Sequence, residues 1–317
     1  MSSAISASGL TKYFGNIQAV SGLDLEIKEG TVFGFLGPNG SGKTTTIRML
    51  LGLSKPTGGS ARVLGLDISE GAQTVREQCG VLLENAALYE RLSLRDNLEL
   101  AGRINLISRN RRTERTAELL KLMGLWERRA DQAAYLSTGM KKKLAVARAL
   151  YHKPKLVFLD EPSAGLDPEA AADLQNLISE LVKNENLTVF LTTHNLREAE
   201  KLCHRIGVIR EGKLIALDTP ENLRTAAGGE QITIRAAGLD TALADRIRTM
   251  KGVKLAELHD RTLIIMNEDS GTSPAPFVRI LVEAGCEVEE VRQGGADLEE
   301  AFLKMVQESR EGEERYG

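Results

Sequence analysis

The stretch Gly37-Pro38-Asn39-Gly40-Ser41-Gly42-Lys43-Thr44-Thr45 constrains this chain more than any other. It fits the pattern G-x-x-x-x-G-K-[ST] of a phosphate-binding loop. The flanks fit as well: Thr31-Val32-Phe33-Gly34-Phe35-Leu36 reads as a buried strand entering the loop, and Thr44 to Leu53 as the helix leaving it. Glycines in such a loop let backbone N–H groups turn onto phosphate oxygens, where a side chain would block them. The helix N-terminus adds partial positive charge at the same spot. Lys43 can reach the β- and γ-phosphates, and the Thr44 hydroxyl can ligate Mg²⁺.

Other strands deliver chemistry to the same sheet edge. Lys155 to Asp160 is an apolar run ending in a carboxylate, as expected for a strand buried on both faces of a parallel sheet. Asp160 and Glu161 then stand at the C-terminal edge, where open α/β sheets place ligands. Asp160 is placed to hold Mg²⁺, directly or through water, and Glu161 to polarise a water. Thr188 to Thr193 is a second buried strand and presents His194, suited to sensing a γ-phosphate; Gly80 to Leu83 is a third and ends in Glu84. Leu136-Ser137-Thr138-Gly139-Met140 precedes an amphipathic helix from Lys141 to His152, a second place where a helix end can face an anion. Lys141-Lys142-Lys143 reads as the charged outer face of that helix.

The remaining chain frames these residues. Ile5 to Ile27 alternates like a half-exposed antiparallel hairpin. From about Asn85 to Tyr135 the spacing turns helical: Ser93 and Asp96 form a capping box, and a second helix is expected from Thr113 to Met123. The basic run Arg109 to Arg112 reads as that helix's solvated entry, and Trp126 as a core anchor. Gly228-Gly229 marks a linker, after which strands and helices follow in the order βαββαβ of a ferredoxin-like arrangement, with no catalytic cluster. A last helix is expected from Asp297, capped by Glu300, and a charged, disordered tail from 309 to 317.

Composition narrows the class. The 41 Lys+Arg against 44 Asp+Glu leave a net charge of -3, which argues against a dedicated nucleic-acid binder. Cys79, Cys203 and Cys286 are isolated, as expected of reduced, buried thiols in a cytosolic protein. No signal peptide or apolar run of transmembrane length is present, so a soluble chain is expected, with any membrane-spanning part in another polypeptide.

Over about Ile5 to Thr225 the chain resembles the ATP-binding subunit of an ABC transporter. Gly37 to Thr45 is similar to the Walker A loop, Leu136 to Met140 to the signature motif, and Leu156 to Asp160 with Glu161 to Walker B and the catalytic glutamate. Ala164-Gly165-Leu166-Asp167 is similar to the D-loop and His194 to the H-loop, while Phe14 falls where the family places the aromatic that stacks on adenine. Two departures stand out. Glu84 replaces the usual Gln, which ligates Mg²⁺; a carboxylate can still do so but cannot donate a hydrogen bond unless protonated. The signature is Leu-Ser-Thr-Gly-Met rather than Leu-Ser-Gly-Gly-Gln. Both variants, and the C-terminal Leu298 to Leu303, resemble the bacterial ABC-2 type drug-export group.

The resemblance implies an α/β fold: a P-loop NTPase of the ABC type over residues 1–227, with an antiparallel β subdomain and a helical subdomain at about 85–135. A small α+β ferredoxin-like domain would follow at 228–308. It further implies an ATPase with Mg²⁺ as cofactor. Glu161, His194 and Lys43 would be catalytic, and Thr44, Glu84 and Asp160 would be metal ligands. Phe14, Gly37, Pro38, Asn39, Gly40, Ser41, Gly42, Lys43, Thr44 and Thr45 would bind the nucleotide. Ser137, Thr138 and Gly139 would act on the other subunit's ATP, with Asp167 in the D-loop. The partners implied are a second copy, head to tail, and a separate permease at the inner face of the membrane, without nucleic acid. Two other readings are a soluble ABC ATPase of DNA repair or translation and a non-enzymatic ATP binder. The absence of sustained heptads between Lys43 and Ser137, and the single phosphate loop, weigh against the first. Intact Lys43, Asp160, Glu161 and His194 weigh against the second.

Overall fold

The computed structural model describes residues 2–83, 88–228, 230–267, 272–295, 298–299 and 302–303. The chain divides into two compact units, Met1–Leu217 and Asp218–Gly317. The first unit opens with β1 (Ser3–Phe14), β2 (Ile17–Lys28), β3 (Val32–Leu36), α1 (Lys43–Leu50), β4 (Gly58–Val63), β5 (Leu66–Asp67), α2 (Ala72–Gln78) and β6 (Cys79–Leu82). It continues through α3 (Leu94–Ile104), α4 (Arg109–Leu122), α5 (Thr138–Ala149), β7 (Leu156–Asp160), α6 (Pro168–Glu185), β8 (Thr188–Thr193), α7 (Leu196–Leu202), β9 (Arg205–Arg210) and β10 (Lys213–Asp218).

Two sheets result, and their burial explains their sequences. The four-stranded sheet β2-β1-β4-β5 is antiparallel. In β2, Leu23, Leu25 and Ile27 are buried while Asp24 and Glu26 face out, the alternation of a sheet with one wet face. The six-stranded sheet runs β10-β9-β3-β8-β7-β6, with β9, β3, β8, β7 and β6 parallel. Every residue of β3, β7 and β8 is buried, which is why these strands read as unbroken apolar runs. Phe190 fastens this sheet: its ring lies 5.4 Å from Phe33, 5.6 Å from Phe35 and 5.4 Å from Phe158, at tilted angles that aromatic quadrupoles favour. Gly34 in β3 is required by a close approach, because a Cβ there would sit 2.6 Å from Cys203 Sγ.

Three helical details differ from expectation. The basic run Arg109 to Arg112 is the first turn of α4, not its approach. Arg112 turns inward, binding Glu99 at 3.1 Å and the Ile107 carbonyl at 2.6 Å. Those two acceptors offset the unfavourable placing of cations at a helix N-terminus. Trp126 is half-buried and lies between Lys121 and Arg129, 5.4 and 4.5 Å from its ring, rather than deep in a core. A helix not read from the sequence, α8 (Pro220–Gly228), precedes the expected linker. Thr219 accepts from the Asn222 N–H, and Pro220 needs no donor at the first turn.

The second unit adds β11 (Glu230–Ala237), α9 (Thr241–Arg248), β12 (Val253–His259), β13 (Thr262–Asn267), α10 (Ala275–Glu283) and β14 (Glu287–Gly295). Its sheet order is β12-β13-β11-β14, antiparallel throughout. Ile232, Ile234, Leu263 and Ile265 of the two central strands pack with Ile247, Phe277 and Leu281 of the helices into a core of its own. The Asp297–Glu300 cap and the tail from 309 lie outside the described residues.

Candidate functional site

The loop between β3 and α1 opens into a cleft of about 390 Å³ lined by Ala19, residues 39–45 and Glu161. Its backbone is set by glycine. Gly42 takes φ 108°, and a Cβ there would press on the Ala19 carbonyl, so no other residue closes this turn without strain. Lys43 is buried and its ammonium donates to the Gly37 and Pro38 carbonyls at 2.7 and 3.2 Å. The cation is therefore held inside the loop, over the place a phosphate would take. The buried Ser41 hydroxyl has no hydrogen-bond partner among the described residues. Ala19 comes from β2 and was not read from the sequence, because nothing in an alternating strand marks which outward residue meets a distant loop.

Asp160, at the end of β7, is buried and doubly engaged. Its Oδ2 accepts from Thr44 Oγ1 at 2.9 Å and its Oδ1 from Thr192 Oγ1 at 2.5 Å. Thr192 was missed by sequence reasoning. It also receives the Glu161 N–H on its hydroxyl, at 3.1 Å, and on its carbonyl, at 3.1 Å. A threonine near the end of an apolar strand beside the Asp160 strand is the signal that could have found it.

Glu161 lies next to Lys43 and His194. Its Oε1 is 3.3 Å from Lys43 Nζ, and its Oε2 is 2.8 Å from His194 Nδ1. The Lys43 contact is an ion pair without hydrogen-bond alignment, so Oε1 is buried with no hydrogen-bond donor among the described residues. Glu161 also has φ 51°, a left-handed backbone that costs a non-glycine residue on the order of 1 kcal/mol. Lys43, Thr44, Asp160, Glu161 and His194 are thus brought together as expected. Phe14 is not in the cleft lining: it sits half-exposed on the β1–β2 hairpin with Lys12 Nζ 5.0 Å over its ring. Glu84 lies outside the described residues.

The signature residues form a different cleft, lined by Ser137, Gly139, Met140, Lys143, Asp167, Glu169, Ala170 and Asp173. Ser137 caps α5, accepting from the Met140 N–H, and both Ser137 and Thr138 are exposed. Gly139 lets α5 approach α6, since a Cβ would meet Ala170 Cβ at 3.1 Å. Asp167 caps α6 through the Ala170 N–H at 2.9 Å. The three lysines that follow are not one solvated face. Lys141 and Lys143 pair with Glu90 and Asp173, each at 2.9 Å, but Lys142 is buried and donates to the Glu161 carbonyl at 3.1 Å. A charge triplet on a helix must split between faces at 100° per residue, and the middle one turns inward.

Behind the site, Ser163 and Glu198 share a hydrogen bond. Burial pushes the Glu198 carboxyl above the ordinary carboxylate range; bonds from Ser163 and Thr193 oppose this, Glu161 adds to it, and His194 opposes it. The folded state therefore holds a proton where the unfolded chain has lost it. The stabilisation is complete below the ordinary Glu pKa and is lost as pH rises through the raised one. Glu198→Gln is expected to flatten this slope: melting temperatures followed from about pH 5 to 8 should converge on the parent's at the acidic end and exceed them at the basic end. Parallel profiles would refute it.

The ABC transporter family matches residues 20–164. A daunorubicin resistance ATP-binding protein of Streptomyces coeruleorubidus is 38% identical over 310 residues, covering 97% of each chain. The chain belongs to the ABC transporter family. The bacitracin transport ATP-binding protein of Bacillus licheniformis is 32% identical over 96% of this ABC chain and 98% of its own length. Among solved structures, a dimeric ATP-binding cassette in a post-hydrolysis state with ADP and Pi has a TM-score of 0.62 at 27% identity, covering 68% of this chain and 98% of that one. A cassette subunit from Clostridium perfringens, part of a multisubunit ABC transporter, has a TM-score of 0.66 at 27% identity, covering 70% and 91%. The first unit is accordingly an ABC ATPase.

His204 and the cysteines have structural roles. His204 Nδ1 accepts the Val32 N–H at 3.0 Å, and Cys79, Cys203 and Cys286 are free and buried. Burial raises the Cys79 thiol to about 12 and carries the Cys203 thiol upward as well.

Proposed function

We propose that two copies of this ATPase close on two ATP molecules and drive a separate permease that exports drugs or other small or lipid-like compounds. The observation that carries this reading is the separation of the two anion-facing helix ends. The Lys43 cleft and the Ser137–Gly139 cleft share no lining residue, so one copy supplies half of each site. A head-to-tail partner would bring its exposed Ser137 and Thr138 and half-buried Gly139 onto the nucleotide held by Lys43, with Asp167 beside them. The dimeric cassette among the similar structures supports this arrangement, and the drug-resistance and bacitracin-transport names of the relatives support export.

Within each site the chain's residues divide the work. Lys43 exchanges the loop carbonyls for phosphate oxygens, Glu161 orients the attacking water through Oε1, the oxygen that accepts no hydrogen bond from the described residues, and His194 meets the γ-phosphate. Phe14 offers an exposed ring for adenine. Thr44 and Asp160 suit Mg²⁺: a hydroxyl and a carboxylate 2.9 Å apart are hard oxygen donors, and Mg²⁺ takes few protein ligands beside phosphates and waters. Mg²⁺, when bound, offsets the charge of the β- and γ-phosphates; Glu84 would be a further ligand. The second unit would be a ferredoxin-like accessory domain, a reading supported by its βαββαβ order and four-stranded antiparallel sheet. No helix among the described residues is long and apolar enough to cross a membrane, and we place the pathway in the permease, with this chain at the inner face. Affinity capture of the full chain from solubilised membranes tests the assignment. A multi-spanning permease should co-purify and raise ATPase turnover; recovery only with soluble nucleic-acid or ribosomal partners would overturn it.

A further inference from the structure

We propose that Lys142 is a positioning residue for Glu161, tying the signature helix of a subunit to that same subunit's hydrolytic carboxylate. The inference rests on the reading of Glu161 as the residue that orients water. Glu161 needs a holder because its backbone is left-handed at φ 51°, a conformation a non-glycine residue keeps only when its surroundings fix it. Two residues do so. Thr192 of β8 takes the Glu161 N–H, and Lys142 of α5 donates to the Glu161 carbonyl at 3.1 Å. Lys142 is itself 7% exposed, so this long side chain is kept inside the protein rather than on the wet face where its neighbours Lys141 and Lys143 pair with carboxylates.

The placement has a consequence for communication. The helix α5 starts at Thr138 and is capped by Ser137, and both residues are exposed. Lys142 is one turn further along the same helix. A displacement of that end on closing the dimer shifts the Lys142 ammonium as part of a rigid element, and with it the carbonyl that sets the direction of the Glu161 side chain. Lys142 does not line the nucleotide cleft. Its removal should therefore affect turnover and leave binding intact.

The test compares Lys142→Met, Lys142→Gln, Lys141→Gln and Glu161→Gln in the full chain, measuring kcat, KM, thermal melting and the affinity for a fluorescent ATP analogue. Lys142→Met should lower kcat by about tenfold or more, with KM and analogue affinity within about twofold of the parent. Lys142→Gln, which keeps an N–H donor, should recover part of the loss, and Lys141→Gln should leave kcat unchanged. The inference is overturned if Lys142→Met keeps parental kcat while Glu161→Gln loses it, or if Lys141→Gln loses as much as Lys142→Met. It is equally overturned if Lys142→Met loses analogue affinity along with turnover. Parental turnover by Glu161→Gln would instead remove the assignment of Glu161. If Lys142→Met does not fold, Lys142→Leu, which also removes the donor, decides in its place: parental kcat with lowered melting temperature would make the residue structural only.

Discussion

Glu161→Gln is expected to lower ATP turnover by a factor of about 10² to 10⁴, the usual contribution of a positioned proton acceptor, while nucleotide remains bound. The geometry separates the two effects. In the proposed site the phosphate contacts come from Lys43 and the loop backbone, and neither takes its place from the Glu161 carboxylate: besides its 3.3 Å ion pair the Lys43 ammonium donates to the Gly37 and Pro38 carbonyls, which phosphate oxygens would replace. Glutamine keeps the shape of the side chain and can still meet His194 at the atom now 2.8 Å from Nδ1. What it loses is the negative charge that draws a proton from water. Loss of that charge next to the phosphates also favours the bound anion, so the variant should accumulate as an ATP-loaded dimer, measurable by size-exclusion chromatography with ATP and Mg²⁺. Parental turnover would refute the role of Glu161, and loss of ATP binding would show that the carboxylate supports the loop.

The residues of the candidate site were legible where each is forced by local chemistry. A phosphate cradle needs glycine at Gly42, and a parallel strand buried on both faces announces itself as an apolar run, so the polar residue that ends it stands out. Residues whose role is set by a neighbour from another part of the chain were less legible. In the sequence Thr192 reads as one more β-branched residue of a strand, whereas its hydroxyl donates to Asp160 and accepts the Glu161 N–H. Lys142 was hidden inside a lysine triplet, where composition suggests a wet face and only the helix rotation singles out the middle residue. Arg112 was misread for the same reason: a basic run suggests solvent, and the Glu99 carboxylate that draws it inward lies on a different helix. The αβ framework, the order of the C-terminal strands and the sheet edge carrying Asp160, Glu161 and His194 follow from patterning. The bonds that hold those side chains in register come from tertiary packing, which a single sequence does not display.

Asp160→Asn is expected to cost turnover by at least about a hundredfold, through metal affinity rather than through the fold. The carboxylate is buried and serves two hydroxyls, Thr44 at 2.9 Å and Thr192 at 2.5 Å. Asparagine retains one oxygen for the Thr44 hydroxyl, and its amide can donate to the Thr192 hydroxyl, which rotates to accept. The exchange of a charge-assisted hydrogen bond for a neutral one should change stability by about 1 kcal/mol. The charge is a different matter. Mg²⁺ is a hard cation that dehydrates reluctantly, and at this site only a carboxylate offers it, or its bound waters, a full negative charge next to the Thr44 oxygen. Measured by titration, ATP affinity in EDTA should therefore match the parent's, whereas the Mg²⁺ concentration needed for half-maximal hydrolysis should rise by an order of magnitude or more, roughly the change seen when a metal's supporting partner is lost. If affinity fell equally with and without Mg²⁺, Asp160 would be holding the loop through Thr44 and not the metal. The comparison with Glu161→Gln then separates two neighbouring carboxylates: the first should alter metal dependence with nucleotide still binding, the second should leave metal dependence intact and stop the water.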